Sequence, residues 1–306
     1  MPPRALELFD LTKLPRYRDK ILMLDSRRAL TRGNPLRAVS FLAYLNPTRR
    51  IYTGILESDK GEVVGSITQR TEENFAQLSY LAPDNSPTEA PLALIENLTA
   101  QAGLWQAHHI VAEIDENAPL FASLRQCGFA VYSRQRIWDL SNIPFKKKIP
   151  VHWRKAKDLD LIPIQSLHRK IVPPLLQQVE SFTRPSRGVI CETDELLTYI
   201  EVRYGTRGIF LRPLIHPNVD NISEKLLTLL ASLSNKRELP IYLCVRSYQA
   251  WIEPMLEELG AKSGLRQAVM VKHLVNKIRE EKTLPAGAEK AWANPAATIK
   301  RLDLEK

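Results

Sequence analysis

The sequence carries an internal repeat with an offset of 132 residues, as from Leu94 to Leu226. Other matches at this offset are Leu98 with Leu230, Leu124 with Leu256, Gly128 with Gly260, and Arg134-Gln135 with Arg266-Gln267. Because one offset holds from a helix, through a glycine, into a strand, we predict two copies of one fold. Pro83 and Pro217 are two residues further apart than the other matches. The second copy is therefore predicted to lack two residues between its proline and the next helix.

The first copy has the pattern of a mixed α/β domain. Alternation of apolar and polar residues predicts strands, apolar positions at helical spacing predict helices, and Ser58 to Gly61 is typical of a hairpin turn. The predicted elements are a strand over 5–14, helical segments over 15–45, a hairpin over 49–69, a strand over 75–83, a helix over 92–103, a strand over 108–114, a short helix over 117–126 and a strand over 129–140.

The second copy repeats this order. Its predicted elements are a strand over 152–157, helical segments over 159–180 with a break at Pro173-Pro174, a hairpin over 187–205, a strand over 208–217, a helix over 222–232, a strand over 239–245, a short helix over 250–259 and a strand over 263–274. We therefore predict domains at 1–143 and 152–275, a linker at 144–151 and a flexible tail at 276–306.

Composition narrows the functional classes. No run reaches the roughly 18 apolar residues of a membrane helix, and the charged N-terminal segment is unlike a signal peptide, so we expect a cytoplasmic protein. The three cysteines, Cys127, Cys191 and Cys244, have no metal-ligand spacing and are expected to be buried thiols. The net charge of +9 is scattered apart from Lys146-Lys147-Lys148, so nucleic acid is a weak expectation and an acidic small ligand is equally compatible.

The order of these motifs resembles the GCN5-related N-acetyltransferase (GNAT) superfamily. In the first copy, Leu81-Ala82-Pro83 resembles the family's Val-x-Pro, and Asn117 and Gly128-Phe129 stand at family spacing. In the second copy the matching residues are Ile215-His216-Pro217, Gln249 and Gly260. The resemblance implies a tandem of two domains, each a mostly antiparallel twisted sheet flanked by helices, with one parallel strand pair that splays apart.

The resemblance also implies where a cofactor would bind. In the family, the pantetheine of acyl-CoA lies in the splayed gap and bonds to main-chain groups, while its pyrophosphate lies at a helix N-terminus. Carried onto this sequence, the cofactor-binding candidates of the second domain are Leu214, Ile215, His216, Asn221, Ile222 and Gln249. Those of the first domain are Leu81 and Asn117. The implied partner is a small-molecule or peptide amine, and no metal is implied.

The sequence departs from the family pattern at the positions that bind the pyrophosphate and at the position that donates a proton. The phosphate loop of the first copy has Ser86, Glu89 and Pro91 in place of its usual Arg/Gln and glycines, and the second loop is two residues short. The general-acid tyrosine is replaced by Leu124 and Leu256, and a leucine cannot donate a proton. These departures put a standard mechanism in question in both halves.

Three residues are weighed as catalytic candidates. His216 ends the strand beside the gap, but it could be a surface turn residue. Glu201 could act as a base or hold a substrate, although with Arg203 it could equally form a surface pair. Tyr204 could donate a proton, whereas strand tyrosines are commonly half-buried with a solvated hydroxyl. Two functions therefore stay open: an acyl-CoA-dependent N-acyltransferase of low activity, and a non-catalytic module that binds a ligand or protein.

Overall fold

The computed structural model describes residues 2–36, 48–58, 61–71, 73–84, 89–144, 152–180, 188–191, 197–233 and 238–274. The predicted tail 276–306, residues 145–151 of the predicted linker, and Ser86 lie outside the described residues. Residues 1–275 form one compact unit.

Thirteen strands and seven α-helices are present among the described residues. The strands are β1 Arg4–Ala5, β2 Leu22–Met23, β3 Arg49–Ser58, β4 Gly61–Arg70, β5 Phe75–Ala82, β6 His109–Asp115, β7 Ala130–Asp139, β8 Trp153–Lys155, β9 Gly188–Cys191, β10 Thr198–Tyr204, β11 Ile209–Ile215, β12 Ile241–Arg246 and β13 Lys262–His273. The helices are α1 Ser26–Arg32, α2 Glu89–Leu104, α3 Leu120–Gln126, α4 Leu161–Ile171, α5 Pro174–Gln177, α6 Ile222–Ser232 and α7 Glu253–Glu258.

All thirteen strands belong to one sheet that runs through both copies. Its order is β1-β3-β4-β5-β6-β13-β7-β12-β11-β10-β9-β8, and β2 pairs with β5 outside this path. The last strands of the two copies cross over, because β13 pairs with β6 of the first copy and β7 pairs with β12 of the second. The boundaries at 1–143 and 152–275 stay a prediction, since the two halves share main-chain hydrogen bonds along β7 and β13.

The predicted splayed strand pairs are present in both halves. The parallel strands β5 and β6 pair over three residues, from Phe75 with His109 to Gln77 with Val111. The parallel strands β11 and β12 likewise pair over three residues, from Ile209 with Ile241 to Leu211 with Leu243. Beyond these registers the strands diverge, so each half contains the gap that the sequence predicted. We call these the first gap and the second gap.

In each half, a buried apolar cluster lies beside the main helix. In the first half, α2 packs on β3 and β4. The cluster there includes Leu78, Leu94, Ile95, Leu98, Ile110 and Leu124. In the second half, the equivalent cluster includes Leu211, Leu226, Leu230, Leu243, Val245 and Leu256. The matched leucines of the repeat are thus core residues, which explains why they recur.

The N-terminal 25 residues differ from the sequence prediction. The predicted strand over 5–14 is mostly replaced by two 3-10 helices, Leu8–Thr12 and Leu14–Tyr17. Within the predicted helical region, β2 is a strand and α1 is the only α-helix among the described residues. The chain turns within the predicted strand because buried Asp10 accepts the Glu7 N–H at 3.0 Å and ion-pairs with Arg4 at 2.6 Å. β2 is extended because it pairs with the free edge of β5.

The turn after β10 packs tightly against α1. The Arg207 N–H donates to the Thr31 carbonyl at 3.0 Å, and a methyl group on Gly205 would lie 2.1 Å from that carbonyl oxygen. We expect Gly205→Ala to lower the free energy of unfolding by about 1–3 kcal/mol, because the backbone must move to admit it. Gly103→Ala, which meets nothing within 4 Å, is the control. Equal stability of both variants in urea unfolding would contradict this close contact between the turn after β10 and α1.

Candidate functional site

The first gap is occupied by the chain itself. Residues 20–24 run antiparallel to β5 inside the gap, with Leu22 opposite Leu81. The Leu24 N–H donates to the Ser79 carbonyl at 3.0 Å, and the Leu24 carbonyl accepts from the Glu113 N–H on β6 at 2.9 Å. We call residues 20–24 the inserted segment. It bonds to both splayed strands, and so it takes the main-chain partners that a pantetheine arm would need.

Little space remains beside the inserted segment. The cavity there, lined by Leu22, Leu81, Pro83 and Pro91 among others, has a volume of about 30 Å³. A water molecule needs roughly 10–15 Å³ by this measure, whereas small-molecule sites span about 300–1,000 Å³. Of the two cofactor candidates in this half, Leu81 is buried and paired, and Asn117 is exposed on the loop before α3.

The second gap is bridged by a side chain. The Gln249 amide donates from Nε2 to the Ile215 carbonyl at 2.9 Å, and Gln249 is almost fully buried. This bond joins the segment after β12 to the end of β11. The neighbouring apolar cavity under α6 has a volume of only about 10 Å³. Gln249 therefore holds a main-chain acceptor at the place where the resemblance implies cofactor contact.

The remaining cofactor candidates of the second half lie around this bridge. Leu214 is buried in a separate apolar cluster with Leu167 and Tyr199. Asn221 precedes α6 in the left-handed region, with φ of 53° and no side-chain cap bond. Ile222 lines the small cavity. His216 lies in a turn, where its Nδ1 accepts from the Asn218 N–H at 3.2 Å.

A buried ion pair that the sequence did not predict lies at the end of β12. Arg246 at the end of β12 ion-pairs with Glu180 at 2.9 Å, and both side chains are 7% exposed. The Tyr248 hydroxyl donates to Glu180 at 2.8 Å. Burial opposes ionisation of Glu180, but Arg246 and Arg212 outweigh it and lower its pKa. Burial raises the pKa of Tyr248 well above its usual range, so its proton is held on the hydroxyl.

The repeated Arg-Gln pair lies where the two halves meet. Gln135 on β7 is opposite Gln267 on β13, and its Nε2 donates to the Gln267 Oε1 at 2.8 Å. The Gln135 Oε1 accepts from Arg246 Nη1 at 2.6 Å, and Ser26 Oγ donates to Gln267 at 2.9 Å. The glutamines of the repeated pair thus form the joint between the two copies.

Glu201 is clamped by arginines. It is 5% exposed, it accepts from Arg203 Nε at 2.6 Å, and Arg212 Nη2 lies 2.9 Å from its other oxygen. Burial opposes its ionisation, but Arg212, Arg203 and Arg27 prevail and lower its pKa to about 2. A carboxylate with so low a pKa is a poor proton acceptor at neutral pH. Tyr204 nearby is exposed.

The general-acid positions are closed to solvent. Leu124 and Leu256 are both completely buried, each in the apolar cluster of its own half. A leucine at either position has no proton to donate to a leaving thiolate.

The fold has relatives among solved structures. No known family model matches the sequence, and no curated protein sequence matches it. A tandem GNAT protein from the clavulanic acid biosynthesis pathway is 14% identical, with a TM-score of 0.51, over 89% of this chain and 98% of its own. The chain has a tandem GNAT fold. A GCN5-related N-acetyltransferase from Sphaerobacter thermophilus is 11% identical, with a TM-score of 0.54, over 89% of this chain and 95% of its own.

This fold confirms the resemblance found in the sequence, and its two copies are the two halves of the sheet. Identities of 11–14% support a common fold alone. No helix among the described residues is long and apolar enough to span a membrane.

Proposed function

We propose that this chain is a binding protein with a tandem GNAT fold, and that it does not carry out acyl transfer by the standard GNAT mechanism. The observation that carries this proposal is the inserted segment, which bonds to both strands of the first gap through Leu24. A pantetheine arm would have to displace this segment and its buried leucine before it could bind. Gln249 in the second gap supports the same conclusion, because its bond to Ile215 would also have to break.

The electrostatics of the candidate groups agree with a non-catalytic role. Glu201 is committed to two arginines, and the low pKa of that carboxylate opposes a role as base. Leu124 and Leu256 leave no proton donor at the acid positions. Since a general acid typically contributes 10²–10⁴-fold to a rate, its loss from both halves removes a major part of catalysis.

A second candidate is an acyl-CoA-dependent N-acyltransferase that acts in the second half on a small-molecule or peptide amine. One observation favours it: among the described residues, no strand of the chain enters the second gap, and α6 begins beside it at Asn221. The Tyr248 hydroxyl could replace the missing acid, although its raised pKa makes it a weak one.

Titration with acetyl-CoA, followed by calorimetry, separates the two candidates. If the gaps are filled, acetyl-CoA should show no saturable binding that changes when a residue of a gap is replaced. Binding that Gln249→Ala strengthens, by freeing the Ile215 carbonyl, would instead favour the acyltransferase. Transfer of an acetyl group to any amine at an ordinary enzymatic rate would refute the non-catalytic proposal.

We further expect Leu256→Tyr to change stability alone. Leu256 is fully enclosed in the apolar cluster of the second half, so a larger ring with a hydroxyl should lower the free energy of unfolding by about 1–3 kcal/mol. Leu265→Tyr, at an exposed position on β13, is the matched control. In an acid-deficient enzyme, Leu256→Tyr would raise the rate of thiol release from acetyl-CoA, and this result would contradict our proposal.

A further inference from the structure

A cleft rich in arginine lies beside α1, the helix that follows the inserted segment. It is bordered by α1, by the paired ends of β3 and β4, and by the end of β10, and its volume is about 350 Å³. This volume lies within the range of small-molecule sites, about 300–1,000 Å³. Its charged walls carry the guanidinium groups of Arg27, Arg28, Arg32, Arg49, Arg70 and Arg203. We call it the arginine cleft.

The acids of the cleft do not balance these cations. Asp25 accepts the first N–H bond of α1, from Arg28 N, at 2.9 Å. Glu73 ion-pairs with Arg70 at 3.5 Å. Burial opposes the charge of Arg27, but attraction to Asp25, Glu201 and Glu73 outweighs it and raises the pKa of that guanidinium. The guanidinium groups of Arg28, Arg32 and Arg49 are left without a hydrogen bond or ion pair to any described residue.

The cations of the cleft act on one another. Burial lowers the pKa of Arg49 to about 10, and repulsion from Arg32, Arg28 and Arg27 adds to the effect. Burial, followed by repulsion from Arg27, lowers the pKa of Arg70 to about 10 in the same way. Positive charges held together with few counter-charges are unfavourable in the empty cleft. An anion that enters it would remove this repulsion.

Two neutral groups suggest that the anion has an organic part. Gln69 is 6% exposed, and its Oε1 is buried without a hydrogen-bond partner among the described residues. An amide oxygen accepts hydrogen bonds and cannot bind a phosphate oxygen directly. It requires a hydroxyl or amine on the ligand. Tyr204 lines the same cleft with more than half of its surface exposed, and its ring could pack on an organic group.

We propose that the arginine cleft binds a small organic phosphate that carries at least two phosphate groups. Each phosphate carries about 1.5–2 negative charges at neutral pH, so two of them balance the three guanidinium groups of Arg28, Arg32 and Arg49. An arginine guanidinium group can also donate two parallel hydrogen bonds to the oxygens of one phosphate. The cleft begins at Asp25, directly after the inserted segment, and neither Leu124 nor Leu256 lines it. This site therefore does not depend on whether the chain transfers acyl groups.

The test uses inorganic pyrophosphate and adenosine 3′,5′-bisphosphate as probes, with calorimetry for affinity and thermal unfolding for stability. Both probes should bind at physiological salt and raise the melting temperature, and the bisphosphate should bind more tightly. Arg49→Gln should weaken both probes by about tenfold or more. Without a probe, the same variant should unfold no earlier than the native protein, because it relieves repulsion.

Arg50→Gln is the matched control. Arg50 follows Arg49 on β3, but it is exposed outside the cleft and its Nη1 donates to the Trp105 carbonyl at 3.1 Å. It should bind both probes as the native protein does. Equal weakening by Arg49→Gln and Arg50→Gln would overturn the site, as would the absence of any shift with millimolar pyrophosphate. Binding of single-stranded DNA while both small probes stay inert would overturn it in favour of a nucleic-acid surface.

Acetyl-CoA also carries a pyrophosphate and a 3′-phosphate, so it could enter this cleft. Repeating the acetyl-CoA titration with Arg49→Gln separates the two sites. Acetyl-CoA binding that Arg49→Gln abolishes belongs to the arginine cleft and supports the present inference. Binding that persists in Arg49→Gln but changes in Gln249→Ala belongs to the second gap and contradicts the proposal that the gaps are filled, whatever the result with pyrophosphate.

Discussion

Replacing Glu201 with alanine is expected to lower the free energy of unfolding by about 3 kcal/mol. Its carboxylate is buried and faces Arg203 and Arg212 directly, with Arg27 close enough to act on its charge. Removal leaves the cations without their common counter-charge, and such losses cost about 3–5 kcal/mol at fully buried pairs. We expect the lower end because the Arg203 and Arg212 side chains are 20% and 32% exposed, so water partly replaces the lost partner.

The interaction of Glu201 with these arginines also predicts how stability depends on pH. The folded pKa of Glu201, about 2, lies below its ordinary value of 4.5, so the folded state favours the charged carboxylate. The contribution is complete above pH 4.5 and is lost as pH falls from 4.5 toward 2. The shift corresponds to about 3 kcal/mol at 1.36 kcal/mol per pKa unit, which agrees with the expected cost of alanine.

Urea unfolding of the native protein, Glu201→Ala, Glu201→Gln and Glu258→Ala tests both statements. Glu258 is exposed on α7, so its loss should change stability by less than about 0.5 kcal/mol. The difference between native protein and Glu201→Gln isolates Glu201 from other acids with lowered pKa, such as Asp160. This difference should shrink between pH 4.5 and pH 2. A difference that is constant over this interval would mean that the arginines do not lower the pKa of Glu201 in the folded protein.

Most of the secondary structure could be predicted from the sequence, because the repeat presents the pattern of each element twice. The predicted strand over 75–83 is β5, the predicted break at Pro173-Pro174 separates α4 from α5, and both parallel pairs splay as expected. Local pattern determines such elements: alternation sets a strand, and a proline interrupts a helix. The crossing of β7 and β13 could not be predicted in this way. The pattern of each of these last strands is equally compatible with pairing in its own half or in the other half.

The sequence predicted the candidate site less well. The inserted segment was assigned to a helical region, since a two-residue strand has no periodicity that a pattern could reveal. Its extended form follows from the free edges of β5 and β6, more than 50 residues away in the chain. Glu180 was missed for a related reason: its partners Arg246 and Tyr248 are 66 and 68 residues distant, and no spacing rule connects them. Buried charges far from their partners in sequence become visible only in the fold.

Replacing Leu24 with alanine is expected to lower the free energy of unfolding by about 2–5 kcal/mol. Leu24 has no exposed surface and belongs to the apolar cluster of the first half. Its main chain bonds to Ser79 on one splayed strand and to Glu113 on the other. Alanine would leave a cavity between strands that cannot close further, because the same backbone bonds hold them apart. Leu104→Ala, at the exposed end of α2, should change stability by less than about 0.5 kcal/mol.

Hydrogen exchange distinguishes a built-in segment from a removable one. If the inserted segment is part of the core, the amides of Leu24 and Glu113 should exchange only through near-global unfolding, with protection close to that of the central strands. A segment that yields its place to a cofactor would instead exchange by local opening, and Leu24→Ala would then cost little stability while improving acetyl-CoA binding. Loss of stability without gain of binding would mean that the first gap has become core, and that ligand binding by this half must occur outside it.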